Sequence, residues 1–430
     1  MFDFDMLGLQ PALNDALKRT GFSEPTPIQN QAIPLALEGH DILGLAQTGT
    51  GKTLAFGLPL IDHLLAARGK PEPKTAKALI LAPTRELVNQ IADSLRTLTD
   101  GTPIRVVTVV GGQSIGRQIN MLSRGTDILV ATPGRLIDLM DRGSVDLRTV
   151  KHLVLDEADQ MLDLGFIHAL RRIAPKLGTP RQTMLFSATM PKQMEELSSA
   201  YLTNPRKVQV SPPGKAADKI TQSVHFVEKP AKPSKLREVL SRDPDALTLV
   251  FARTKHGAEK LMKGLVADGY NAASIHGNKS QGQRDRAIKA FRDGTITTLV
   301  ATDVAARGID IPGVSYVVNY DLPEVADNYV HRIGRTARAG REGEAIAFCA
   351  SDEGDLLYQI EKLMKIEIPV ASGSRPERGA GERSNRRGPS GGQRRRGGSG
   401  GGGKKPAAAA KPASKPASAK RRRPRRGRAA

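Results

Sequence analysis

Two series of short aliphatic runs constrain the fold of this chain more than any other feature. The first reads DILGLA, KALILAP, RVVTVVGG, DILVATP, HLVLDEA and TMLFSAT; the second reads SVHFV, LTLVFA, NAASIHG, TTLVATD, YVVNYD and EAIAFC. Continuous apolar runs suit strands buried on both faces, whereas a strand with one wet face alternates apolar and polar residues. Helical patterns lie between most of the runs, so the strands are joined by helical crossovers and each sheet is parallel. A Pro/Gly/Lys stretch, SPPGKAADK, separates the series. The expectation is an α/β protein with two tandem parallel-sheet domains, split near Pro212 to Lys219, whose halves share one fold.

At 430 residues the chain can fill two such domains. Its net charge of +21 is concentrated at one end. Residues 371–430 hold 19 Lys/Arg against 2 Asp/Glu, a charge of +17 that leaves +4 for the first 370. This Gly/Ala/Pro/Ser/Lys/Arg segment has no aliphatic periodicity and cannot bury enough apolar surface to fold, so it reads as a disordered tail. Its charge suits nucleic-acid phosphates. No run of about 18 apolar residues is present, so no membrane partner is expected. The opening MFDFDMLGLQ lacks the basic-then-apolar pattern of an export signal. The single cysteine, Cys349, permits no intrachain disulfide and no cysteine-rich zinc site. These features together lead to the expectation of a cytoplasmic protein.

The stretch DILGLAQTGTGKTLAF places a strand, a glycine-rich turn and a helix in succession. Residues Ala46, Gln47, Thr48, Gly49, Thr50 and Gly51 form a loop whose N–H groups can face phosphate oxygens at a helix N-terminus. Lys52 follows to neutralise the outer phosphates, and Thr53 supplies a hydroxyl for Mg²⁺. Ala46 stands where the general pattern has its first glycine. Downstream, the strand LVL ends in Asp156, Glu157, Ala158 and Asp159, three carboxylates within four residues. Mutual repulsion and lost solvation call for a cation. Mg²⁺ with a nucleotide supplies it, Asp156 holding the metal through water and Glu157 polarising the attacking water.

These residues, with the blocks that follow, resemble the DEAD-box ATP-dependent RNA helicases, and within them the bacterial RhlE type. The resemblance runs from about Phe4 to about Pro369 and implies two RecA-like domains that use ATP and Mg²⁺. It divides the chain into an adenine-recognition segment at 2–30, an ATP-binding domain at 31–211, a linker at 212–219, a second domain at 220–370 and the tail at 371–430. GFSEPTPIQNQAIP looks like the adenine-reading block. Gln29 there can pair with the adenine edge, Phe22 can stack, and Phe4 resembles an upstream aromatic that supports the pocket. Glu24 stands where relatives often carry a basic residue.

By the same resemblance APTREL, GG and ATPGR supply RNA contacts through Thr84, Arg85, Gly112, Thr132 and Arg135. These groups suit sugar and phosphate rather than bases, so largely sequence-independent RNA binding is implied. SAT places Ser187 and Thr189 to bond Asp159 and couple hydrolysis to strand separation. In the second domain Arg253 and Thr302 match RNA contacts, and Gly308 and Asp310 match positions facing the nucleotide. In HRIGRTARAGREG, Arg332, Arg335 and Arg338 recur every third residue, which places them on one side of a short helical turn. Arg335 and Arg338 match arginine fingers, His331 matches a link to the acidic block, and Ala337 replaces a glycine seen in many relatives. Ribosome-assembly or RNA-decay proteins are the protein partners implied.

The expected activity is ATP hydrolysis coupled to local duplex unwinding or ribonucleoprotein remodelling. The alternative, a nucleotide-gated RNA clamp, needs a broken catalytic set, whereas Lys52, Glu157 and both fingers are present. A DNA helicase fits less well with Gln29 and the literal DEAD spelling. A P-loop kinase or transporter ATPase leaves HRIGRTAR unexplained.

Overall fold

The computed structural model describes residues 3–47, 49–67, 69–210, 220–306, 311, 313–337 and 342–375. The first series of strands is β1 (Ile42–Leu45), β2 (Ala76–Leu81), β3 (Val106–Val109), β4 (Thr126–Ala131), β5 (His152–Leu155), β6 (Gln182–Ser187) and β7 (Arg206–Gln209). The second is β8 (Ile220–Phe226), β9 (Leu247–Phe251), β10 (Ala272–Ile275), β11 (Thr298–Ala301), β12 (Val314–Asn319), β13 (Gly343–Cys349) and β14 (Val370–Ser372).

Among the described residues they form two seven-stranded sheets, ordered β3-β4-β2-β5-β6-β1-β7 and β10-β11-β9-β12-β13-β8-β14. Every pairing in both is parallel. The second order is the first with seven added to each strand number, so the two halves share one topology.

Side-chain alternation explains the continuous apolar runs. Leu153 and Leu155 of β5 enter one core cluster, while Val154 between them enters the cluster on the opposite face. In the second sheet Leu249 and Phe251 face one way and Val250 the other. Helices cover both faces because their apolar residues recur at helical spacing. The helix Arg85–Leu98, for example, buries Leu87, Val88, Ile91, Ala92, Leu95 and Leu98. Its start is fixed by Thr84, whose Oγ1 accepts from Leu87 N at 3.2 Å.

One boundary differs from expectation. β14 pairs with β8, and Arg375 then closes on Glu361 through two bonds of 2.8 and 2.9 Å. The Arg375 guanidinium also lies 5.8 Å from the centre of the Phe226 ring. The second domain therefore continues past 370 to Arg375. β7, within the expected first domain, adds a strand that no aliphatic run announced, since its segment RKVQ carries a single buried residue. The expected linker at 212–219 and residues 376–430 lie outside the described residues. Among the described residues no helix is long and apolar enough to cross a membrane.

Candidate nucleotide and nucleic-acid site

The phosphate loop joins β1 to the helix Lys52–Ala66. Gly49 and Gly51 take positive φ, 81° and 91°. Gly51 is required twice over, because a Cβ there would lie 2.4 Å from Gln29 Nε2. Gln29 is buried against the loop. Its Nε2 donates to Gly51 O at 3.0 Å and its Oε1 accepts from Thr26 N at 2.9 Å, while Thr26 Oγ1 donates to Thr50 O at 2.8 Å. The expected adenine reader is thus also a brace for the loop, retaining one donor and one acceptor lone pair. Phe22 is 46% exposed, as a stacking face must be, whereas Phe4 is packed in the core beneath.

Lys52 Nζ donates to Ala46 O at 3.2 Å and lies 3.9 Å from Asp156 Oδ1. The acidic turn follows β5, which is separated from β1 by β6, so the two motifs meet across one intervening strand. Glu157 sits at φ 51°, a left-handed conformation that turns the chain sharply into the helix Ala158–Asp163. Burial pushes the Asp156 and Glu157 carboxyls above their ordinary range. The Lys52 charge opposes this at Asp156; at Glu157, Arg335 opposes it first and Lys52 second. Glu157 Oε2 is buried with no hydrogen-bond partner among the described residues. Asp159 Oδ2, in contrast, accepts from Ala188 N, Thr189 N and Thr189 Oγ1 at 2.8 to 3.1 Å, and Ser187 Oγ accepts from Asp159 N. The SAT segment and the acidic turn are therefore one hydrogen-bonded unit.

The donor set fits a hard cation. Asp156 offers carboxylate oxygens and Thr53 a hydroxyl, a small set suited to Mg²⁺ that keeps most of its ligands as water and phosphate. Among the described residues no cluster of three His, Cys, Asp or Glu side chains forms an all-protein metal cage.

The second domain meets this edge. His331 Nδ1 is 3.3 Å from Gln160 Nε2, and His331 Nε2 is 3.9 Å from Asp159 Oδ2. The arginine row differs from expectation. The helix Ala326–Ile333 ends before Arg335, so Arg332 and Arg335 do not share a helical face. Arg332 is buried, held by Asp303, Asn319 Oδ1 and Asp321 O over the ring of Phe251. Arg335 turns back, its Nε donating to His331 O at 3.2 Å. Arg338, Thr48, Gly308 and Asp310 lie outside the described residues.

A second contact joins the domains at the other half of the sheets. Arg85 Nη1 donates to Gln281 Oε1 at 3.1 Å, and Glu86 Oε1 accepts from Gln281 Nε2 and Arg284 Nη2, each at 3.0 Å. Arg85 also packs beneath Gly112, where a Cβ would fall 2.0 Å from its Nη1. Glu86, Gln160, Gln281 and Arg284 were not expected from sequence, since their partners lie far away along the chain. The other expected RNA contacts stand at strand ends. Thr132 and Arg135 follow β4, with Arg135 Nη1 donating to Gln113 O, and Thr302 follows β11. Arg253 follows β9, but its Nη2 is engaged by Glu353 and Leu322 O, so it also ties the second domain together.

Sheet order sorts these groups. The expected RNA blocks follow β3, β4 and β2, one contiguous half of the first sheet, and the nucleotide blocks follow β5, β6 and β1, the other half. In the second sheet Gln281, Thr302 and Arg253 follow β10, β11 and β9, and His331 follows β12, which repeats the division.

Comparison with known proteins agrees with this arrangement. The DEAD/DEAH box helicase profile matches residues 26–197, and the helicase conserved C-terminal domain profile matches 231–340. ATP-dependent RNA helicase CshA of Limosilactobacillus reuteri is 45% identical over 370 residues, 85% of this chain and 72% of the relative. The chain belongs to the DEAD-box ATP-dependent RNA helicases. DEAD-box helicase CshA of Bacillus licheniformis is 43% identical over 84% of this chain and 73% of its own. Both relatives carry the CshA name, not the RhlE one. Among solved structures, Saccharomyces cerevisiae Dbp5 bound to RNA and ADP BeF3 superposes with a TM-score of 0.77. It is 34% identical, covering 86% of this chain and 95% of that one. Ala337 of the helicase takes φ 55°, a conformation that favours glycine.

Proposed function

We propose that this DEAD-box helicase hydrolyses ATP in a cleft completed only when its two domains close, and that RNA laid across both domains favours that closure. One observation carries the reading: the domains touch nucleotide half to nucleotide half, Gln160 to His331, and RNA half to RNA half, Glu86 to Arg284. A single closing motion therefore serves both ligands, and each promotes binding of the other. RNA-bound Dbp5, whose arrangement this chain shares, supports the same reading.

Gln29 and Phe22 would hold the base, and the loop Ala46–Gly51 with Lys52 the phosphates. Thr53 and Asp156 would hold Mg²⁺, which when bound neutralises phosphate charge. Glu157 is the proton acceptor for the attacking water, since its Oε2 is buried without a partner among the described residues. The γ-phosphate leaves ADP as inorganic phosphate, with charge stabilised by Arg335 and, by resemblance, Arg338. Asp159, Ser187 and Thr189 transmit the change to the RNA edge, where Thr84, Gly112, Thr132, Arg135 and Thr302 contact sugar and phosphate. The basic tail raises RNA affinity without reading sequence, an effect that falls steeply with salt.

The test is ATP hydrolysis by purified protein with and without single-stranded RNA, beside Glu157→Gln. Strong RNA stimulation that is lost in Glu157→Gln, with nucleotide binding kept, is expected. Nucleotide binding with no RNA stimulation would sink the coupled reading and favour the clamp.

A further inference from the structure

A groove of about 960 Å³ opens on the first domain, remote from both ligand edges. It is lined by Lys74 and Thr75, which directly precede β2, whereas the phosphate loop and the RNA blocks follow strand C-terminal ends. In a parallel sheet those are opposite ends. Its floor is apolar, made by buried Val145 and Leu147 with Met140 and Pro175.

The rim is cationic in excess. Arg148 is paired with Asp146 at 2.6 Å and Arg172 with Asp141 at 2.7 Å. Lys74, Arg171 and Lys176 have no ion pair among the described residues, against Glu72 alone among the acids. Lys74 takes φ 62°, uncommon for a residue with a side chain, and is held there by Lys74 N to Leu122 O and Asp146 N to Lys74 O bonds. Among the described residues its Nζ reaches only Gly143 O, at 3.4 Å.

We propose that this groove docks an extended acidic protein segment carrying apolar side chains. Carboxylates would meet the three unpaired cations, and apolar side chains would fill the floor. The chain's own tail is a poor occupant, since its +17 charge repels the rim. RNA is also a poor occupant, because a sugar-phosphate backbone gains nothing from an apolar floor. A partner held here leaves both ligand edges open, so it can tether the helicase while the helicase works.

The experiment pans the full-length chain against a displayed library of random peptides, each of about 16 residues, with counter-selection on Arg171→Glu/Lys176→Glu. Expected are peptides rich in Asp and Glu with spaced apolar residues, binding the native chain about tenfold more tightly than the variant and more weakly as salt rises. The variant should keep its melting temperature and its RNA-stimulated ATPase. Failure to enrich any peptide, enrichment of basic or uncharged peptides, or equal binding to the variant overturns the proposal. So does weaker binding of a fluorescent single-stranded RNA by the variant, which would make the groove an RNA surface.

Discussion

Replacing Glu86 by Ala removes the acceptor that two donors of the second domain share. Glu86 Oε1 receives Gln281 Nε2 and Arg284 Nη2, each at 3.0 Å. The side chains of Glu86 and Arg284 are 7% and 16% exposed, so solvent screens the pair little. Truncating one partner of such a buried pair costs about 2 to 5 kcal/mol. The low end applies here, because Arg284 keeps its bond to Ala305 O at 3.2 Å and Gln281 its bond to Asp285 at 2.9 Å. A loss of about 2 kcal/mol lowers the closing equilibrium about 30-fold. The loss falls on the closed arrangement rather than on either domain's own fold, since the donors and acceptor belong to different domains. Titrating ATPase activity with single-stranded RNA should therefore show a half-saturating concentration about 30-fold higher, with the apparent KM for ATP rising in step. Each domain's unfolding should shift by no more than about 0.5 kcal/mol. An unchanged RNA requirement, or a fall in domain stability as large as the loss in coupling, would refute the reasoning.

Three further outcomes follow from individual residues. Burial, with the charge of stacked His63, pushes the His152 imidazole down to about 4. The unfolded chain therefore binds the proton first, and stability present above about pH 6.5 is lost as pH falls toward the folded value. At pH 5.5 the first domain should be about 1.4 kcal/mol less stable than at pH 7.5, and urea unfolding of His152→Gln should lack that slope; an equal slope in the variant contradicts the assignment. Gly51→Ala combines a φ of 91° with a Cβ 2.4 Å from Gln29 Nε2, so ATP affinity should fall at least about tenfold by fluorescent-nucleotide titration, and wild-type affinity would contradict the bracing role. Ala337→Gly relieves a left-handed alanine at φ 55°, and thermal unfolding should show the second domain stabilised by up to about 1 kcal/mol, whereas a loss of stability would contradict the strain.

The interior of both sheets was legible in the sequence because burial on two faces leaves an unbroken aliphatic signature, as in LVL before Asp156. The strands that escaped are β7 and β14, each at the edge of its sheet, with RKVQ and VAS exposing most of their residues. An edge strand needs few apolar side chains, so composition says little about it. Lys52, Asp156 and Glu157 could be singled out because each sits in a contiguous motif, GTGKT or DEAD, and the structure brings Lys52 within 3.9 Å of Asp156. Glu86, Gln281 and Arg284 were not, since a polar residue at a helix start looks the same whether or not another domain faces it. The arginine row shows a different limit. Equal spacing did not produce equal roles, because the helix ended at Ile333 and left Arg332 in the core, while Arg335 turned back onto His331 O, where its charge opposes the rise at the Glu157 carboxyl.

The most direct test of coupled closure is energy transfer between dyes on the two domains. Ser199→Cys and Lys289→Cys place labels on exposed helix positions, and the single native cysteine, Cys349, is buried. Transfer should rise to its maximum only when single-stranded RNA and a non-hydrolysable ATP analogue are both present, and Glu86→Ala should demand far more RNA to reach it. Maximal transfer with either ligand alone, or no change with both, would contradict the account.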